Sequence, residues 1–206
     1  MINELINRYP ALAEIKDEIE AAAQLMLKTV KGGGKILLCG NGGSCADCEH
    51  IVGELMKGFM LKREVGEEFT KTLEEYYPDD AKFLSQNLQG AIPAISLTSQ
   101  AAILSAFAND IEPQMVYAQL VYGYGNCGDL LIGISTSGNS KNVVNAVKIA
   151  KAKGLYTLAM TGEKSSQLDM CDVTVKAPEN ETFKVQEYHL PIYHYLCAQL
   201  EKWIFD

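Results

Sequence analysis

Short apolar runs that end in glycine- or serine-rich turns and then open into helices most constrain what this chain can fold into. Lys35-Ile36-Leu37-Leu38-Cys39 reads as a buried strand running into Gly40-Asn41-Gly42-Gly43-Ser44, with a helix expected from Ser44. Leu130 to Ile134 is a second such run, followed by Ser135-Thr136-Ser137-Gly138-Asn139-Ser140 and a helix through Val143, Val144, Val147 and Ala150. Ile92 to Leu97, Tyr156 to Met160 and Val173 to Val175 are further strand candidates, the first followed by a helical stretch from about Ser99. Upstream, Leu12, Ile15, Ile19, Ala22, Met26 and Val30 recur every three or four residues, a helical stripe that Gly32-Gly33-Gly34 stops. A last helix is expected from about Thr182 to Ile204. Strands alternating with helices predict βαβ units and a parallel sheet. Unbroken apolar strands predict that both faces of that sheet are covered. The expectation is an α/β chain: a three-layer α/β/α sandwich on five parallel strands. It forms one domain over 1–206, with an N-terminal helix over about 2–31.

Residues 59 to 90 interrupt the pattern. They carry Glu67, Glu68, Glu74, Glu75, Asp79 and Asp80 and separate the helix after Ser44 from the second strand candidate. They read as a partly helical insertion at the domain surface, either a solvated connection or a lid or subunit contact.

Charge bears on the partner. Lysine plus arginine is 18 and aspartate plus glutamate 26, so 18 − 26 leaves −8. That balance argues against a phosphate-backbone surface for nucleic acid, though one local site can still hold an anionic small molecule. No apolar run reaches the length of a membrane span. Glu4, Arg8, Glu14 and Lys16 stand where a signal peptide needs an apolar stretch, so a cytoplasmic chain is expected. In that reducing setting the six cysteines read as free thiols. Cys45 and Cys48 form a C-x-x-C without a second pair at metal-like spacing, which reads as small helix residues.

Both turns belong at the carboxyl end of the sheet, where open α/β sheets bind ligands. Ser135, Thr136, Ser137 and Ser140 put four hydroxyls beside the free N–H groups of a helix start. A helix cap would need one. Hydroxyls, amides and the helix dipole together suit a phosphate dianion, and a small phosphorylated metabolite fits better than a nucleoside triphosphate because G-x-x-x-x-G-K-[ST] is missing. In the first turn, Ser44 with Asp47 has the spacing of a capping box. The chain has three histidines, His50, His189 and His194. His50 and Glu54 are four apart and share a helix face, and these residue types serve equally as zinc ligands and as acid–base groups.

Taken together, Gly40-Asn41-Gly42-Gly43-Ser44 with His50 and Glu54, Ile134 through Ser140, and Gln186-Glu187-Tyr188-His189 with His194 resemble the sugar isomerase (SIS) domain family. Within it they are similar to the phosphoheptose isomerases, which convert sedoheptulose 7-phosphate to D-glycero-D-manno-heptose 7-phosphate. The resemblance covers nearly the whole chain outside about 59–90. It implies a flavodoxin-like sandwich in a homotetramer with active sites between subunits. It further implies a sugar phosphate held by Ser135, Thr136, Ser137 and Ser140, with Asn41, Gly42, Gly43 and Ser44 contributing from the first turn. Asn109 and Asp110 resemble the family's Asn-Asp pair after the second strand, and Gln186 also joins the substrate. One zinc ion per site is implied on His50, Glu54, Gln186 and His194, with no nucleotide or organic cofactor. Glu54 is the implied base and His194 the partner acid or base. Two departures bear on the sugar accepted: the length of the insertion, and Thr98-Ser99-Gln100 where Asp or His is common.

Gln186 and His194 lie eight residues apart, about 12 Å along a straight helix. A composite site is therefore expected, with His50 and Glu54 from one subunit and His194 from another, unless Pro191 bends the helix. Two other readings stay open: a non-catalytic SIS module binding a sugar phosphate or a replication initiator protein, and an isomerase for another sugar phosphate.

Overall fold

Strands apolar on both sides need covering on both sides, and the computed structural model, which describes residues 1–206, shows how this is met. In chain order the elements are α1 (Ile2–Arg8), α2 (Lys16–Lys31), β1 (Ile36–Gly40), α3 (Gly43–Met56), α4 (Glu67–Tyr76), α5 (Ala81–Asn87) and β2 (Ala94–Ser96). They continue with α6 (Ala101–Asp110), α7 (Val116–Tyr124), β3 (Leu130–Ile134), α8 (Lys141–Ala152), β4 (Tyr156–Thr161), β5 (Val173–Lys176) and α9 (Thr182–Phe205). The five strands form one parallel sheet in the order β2-β1-β3-β4-β5, as the alternation of elements predicts.

Successive strand side chains point to opposite faces, and two separate cores result. Ile36, Leu38, Leu130, Ile132, Ile134, Leu158 and Met160 pack with residues of α2, α3 and α9. Leu37, Cys39, Leu131 and Ala159 pack with residues of α7 and α8. Gly133 lets α8 approach: a Cβ there would stand 2.9 Å from Val143 Cγ1.

Three expectations are corrected. The N-terminal helix over about 2–31 is not continuous: it breaks after α1, and Pro10–Ile15 forms a 3₁₀ turn before α2. Pro10 cannot donate an N–H, and it keeps Tyr9 out of the helical region, at φ −132° and ψ 75°. The apolar stripe survives the break, since Leu12, Ile19, Ala22 and Met26 are all buried. The second strand is three residues long rather than six, because Pro93 removes a ladder donor at this sheet edge. Ser44 does not cap α3. The helix starts one residue earlier with Gly42 at its N-cap, and no side chain bonds its free amides.

The insertion is helical in α4 and α5, which pack on each other. Its first part, however, is not a solvated connection. Arg63 is 1% exposed and its Nε donates to Glu201 Oε1 of α9 at 2.7 Å. Burial alone would raise the Glu201 carboxyl. Hydrogen bonds from the amides of Phe59 and Met60 and from Arg63 outweigh it and hold Glu201 below the ordinary carboxylate range. All six cysteines are free thiols. Cys48 is buried in the core, where desolvation raises its thiol well above the ordinary value.

His189 stands on α9 with 0% exposure. Its Nε2 meets the Thr161 carbonyl at 3.2 Å, and its Nδ1 has no partner. Burial pushes its pKa down to about 4, so it stays neutral in the folded chain while the unfolded chain takes up a proton below about 6.5. Stability is therefore expected to fall as pH drops from about 6.5 to about 4, by about 3 kcal/mol from this residue. His189→Gln keeps a donor for Thr161, and urea melts of that variant should lose this part of the slope. Equal slopes in the two proteins would refute the assignment.

Candidate active site

From β1 the chain passes to β2 on one side, while β3 lies on the other and leads to β4 and β5. The crevice between the ends of β1 and β3 is the switch point at which such sheets take ligands. Gly40 pairs with Ile134 in the ladder, so the two turns leave the sheet at the same level. They are also tied together. Asn41 and Asn142 exchange two amide hydrogen bonds at 2.9 and 2.8 Å, and the Tyr117 hydroxyl donates to the Gly40 carbonyl at 2.7 Å. Asn41 is thus held at the second turn by residues that spacing alone does not single out.

In the second turn the Ser135 and Ser140 hydroxyls lie 2.9 Å apart. Ser140 is the N-cap of α8, yet its side chain bonds no helix amide. Gly138 takes φ +64°, and a Cβ there would collide with Ser166. The amide of Gly138 closes the turn onto the Ser135 carbonyl at 2.8 Å, whereas the amides of Thr136, Ser137 and Ser140 reach no acceptor in the chain. Free amides, hydroxyls and the positive end of α8 therefore lie in one turn, which suits an anion.

The second half of the site lies further along α3. His50 Nε2 is 3.2 Å from Glu54 Oε1 and 3.5 Å from His194 Nε2. Lys57 Nζ reaches the other Glu54 oxygen at 3.3 Å. His194 arrives from α9 of the same chain, so the expectation that another subunit must supply it is corrected. α3 and α9 pack side by side, which brings the two histidines together within one chain. Burial and the nearby His50 hold the His194 imidazole below its ordinary value, so it is neutral near pH 7.

Tyr193 was not legible as a site residue. Its hydroxyl lies 2.9 Å from His50 Nδ1 and 3.3 Å from Asp47 Oδ1. The Asp47-x-x-His50 spacing and the neighbouring His194 were the available signals. A Tyr193 hydroxyl that donates to Asp47 accepts from His50 Nδ1–H, leaving the His50 Nε2 lone pair facing Glu54 and His194. A lone pair in that position is stable with a proton or a cation among the three groups.

The remaining expected residues separate. Gln186 lies over the start of α3, where a Cβ on Gly43 would collide with its amide. It therefore belongs beside the first turn and is not gathered with His194. Asn109 and Asp110 sit at the exposed end of α6 and bond one another at 2.7 Å. Nothing ties them to either turn.

Two imidazoles and a carboxylate are donor types that suit zinc. The separations of 3.2 and 3.5 Å match the edge of about 3.4 Å of a tetrahedron with zinc–nitrogen bonds near 2.1 Å. The three groups form a line with His50 at its centre rather than three donors converged on one point. The His50 side chain, at the centre of that line, is 42% exposed.

A model of the SIS domain matches residues 2–84 and 86–162, and the chain belongs to this family. Within it the chain is similar to the phosphoheptose isomerase of Maridesulfovibrio salexigens, at 37% identity over 175 residues, 84% of this chain and 73% of that protein. It is 33% identical to that of Aliarcobacter butzleri over 206 residues, 98% of this chain and 95% of that protein. The solved structure of the phosphoheptose isomerase of Neisseria gonorrhoeae superposes with a TM-score of 0.75 at 31% identity, covering 97% of this chain and 94% of that one.

The contact between Gly43 and Gln186 can be tested directly. Gly43→Ala should cost about 1–3 kcal/mol in denaturant melts through overpacking, and Gly43→Ala/Gln186→Ala should recover most of it. Strictly additive losses would show that the two groups do not compete for this space.

Proposed function

We propose that this chain is a ketose–aldose isomerase of a sugar phosphate, converting sedoheptulose 7-phosphate to D-glycero-D-manno-heptose 7-phosphate. The observation that carries the reading is the Glu54 carboxylate held between His50 and Lys57, with His194 behind it, on the helix that opens at the anion-suited edge. Similarity to phosphoheptose isomerases over 98% of the chain supports the choice of sugar.

The serine-rich turn takes the phosphate, through the amides of Thr136, Ser137 and Ser140 and the hydroxyls of Ser135, Thr136, Ser137 and Ser140. Asn41, Gly42, Gly43 and Ser44 line the adjoining turn, and Gln186 meets the sugar beside Gly43. Glu54 removes a proton from C1 of the ketose and returns one to C2, passing through an enediol. His194 moves the proton between the two oxygens, a role open to a neutral imidazole. His50, Glu54 and His194 would hold zinc, completed by Gln186 from a second copy of the chain, and the ion would polarise the carbonyl and hydroxyl oxygens. The chain acts as a homotetramer in the cytoplasm, with sites completed between subunits. The distance of Gln186 from His194 along α9 supports the shared site. Exposed Phe69, Tyr76, Tyr77 and Phe83 of the insertion are in keeping with subunit contacts. No helix is long and apolar enough to cross a membrane.

An assay with sedoheptulose 7-phosphate against six-carbon ketose phosphates, with and without zinc, tests the reading. Turnover of none of them would reject it. Glu54→Gln should lower kcat by roughly 10²–10⁴ with substrate affinity kept, provided metal content is shown to be unchanged. Near wild-type turnover would remove Glu54 as the base. Ser137→Ala and Ser140→Ala should each weaken sugar phosphate binding by about 1–2 kcal/mol. Calorimetry showing unchanged affinity in both would retire the phosphate assignment.

A further inference from the structure

The ion pair between Arg63 and Glu201 is the one in this chain with 0% exposure on both side chains, and the proposed chemistry uses neither residue. Its hydrogen bonds show what it holds. Glu201 Oε1 accepts from Arg63 Nε at 2.7 Å and from the Phe59 amide at 2.8 Å, and Oε2 accepts from the amides of Met60 and Leu61 at 2.7 and 3.1 Å. The other edge of the guanidinium points at α3. Nη1 donates to the Leu55 carbonyl at 2.6 Å, and Nη2 donates to the carbonyl of Glu54 itself at 3.0 Å.

A buried ion pair is a poor stabiliser, because desolvation offsets the attraction and apolar residues of similar size often serve a core as well. The Leu55 carbonyl also accepts from the Ile92 amide at 2.9 Å, but an apolar pair could offer the Glu54 carbonyl no donor. α3 ends at Met56 without a glycine cap, and Lys57 is extended at φ −138°, so the last carbonyls of the helix need outside donors. A cation at a helix C-terminus is also electrostatically favourable. The turn that carries Glu54 is therefore gripped by a side chain from beyond the helix, itself anchored to α9, the helix that carries His194.

We propose that Arg63, oriented by Glu201, is a positioning residue that fixes the last turn of α3 and hence the Glu54 carboxylate against His50 and Lys57. The turnover arm of the test rests on the isomerase reading, and the spectroscopic arm does not. Arg63→Lys keeps the charge and loses the two-pronged grip. Arg63→Met/Glu201→Leu removes both buried charges, so it covers the case in which a single change fails to fold. With full-length protein, well below each variant's melting temperature, kcat should fall about tenfold or more. KM for sedoheptulose 7-phosphate should stay within about twofold, since the phosphate turn is untouched. The double variant should regain melting temperature without regaining kcat.

With three histidines in the chain, imidazole NMR signals are separable. Those of His50 and His194 should move in Arg63→Lys, while that of buried His189 stays as an internal control. Unmoved His50 and His194 signals, or a folded double variant with wild-type kcat, would overturn the proposal. Absence of turnover in the wild-type protein would instead reject the isomerase reading, and the imidazole signals would still decide the role of Arg63.

Discussion

The in-register pairing of β1 with β3, buried on both faces, is the constraint on which the rest depends. Because Gly40 lies opposite Ile134, two turns of different chemistry emerge side by side. One is glycine-rich and allows close approach. The other is serine-rich and lends amides and hydroxyls. The Asn41–Asn142 amide pair and the Tyr117 hydroxyl close the seam between them, so the two turns are held together where the strands end.

α3 carries this order outward. Its first residues lie under the Gln186 amide and its last turn holds Glu54, so one rigid element spans from the anion-suited edge to the His50–Glu54–His194 cluster. α9 runs beside it and supplies Gln186, Tyr193 and His194. Both helices bury apolar residues in one core, which sets the separation of their polar side chains. Arg63 and Glu201 join the same two helices at their far ends. The helix pair is thus tied near both ends, with the histidines between.

The segment read as a surface insertion, whether solvated connection or subunit contact, divides in two. Phe59 to Arg63 is bound into the domain by Glu201, while α4 buries no residue and shows aromatic side chains to solvent. The acidic stretch that reads as solvated in the sequence does lie outside. The buried arginine just before it could not be recognised, since nothing in Lys62-Arg63-Glu64 points to a partner 138 residues away.

What the sequence alone determined is whatever depends on local periodicity and turn chemistry. The buried strands, the parallel sheet, the glycine and serine turns at its edge and the shared face of His50 and Glu54 follow from spacing, because a strand or helix repeats on a length shorter than the segment read. Pro10 and Pro93 had the power to shorten elements there too, and the apolar stripes hid them. Tertiary structure alone decided which distant side chains meet. It brought His194 to His50 within one chain, laid Gln186 over Gly43 instead, left Asn109 and Asp110 bonded to each other, and set Tyr193 between Asp47 and His50. These contacts join residues up to 146 positions apart. They depend on how two amphipathic helices pack against one sheet face, and that packing is settled by the whole core rather than by any stretch of chain.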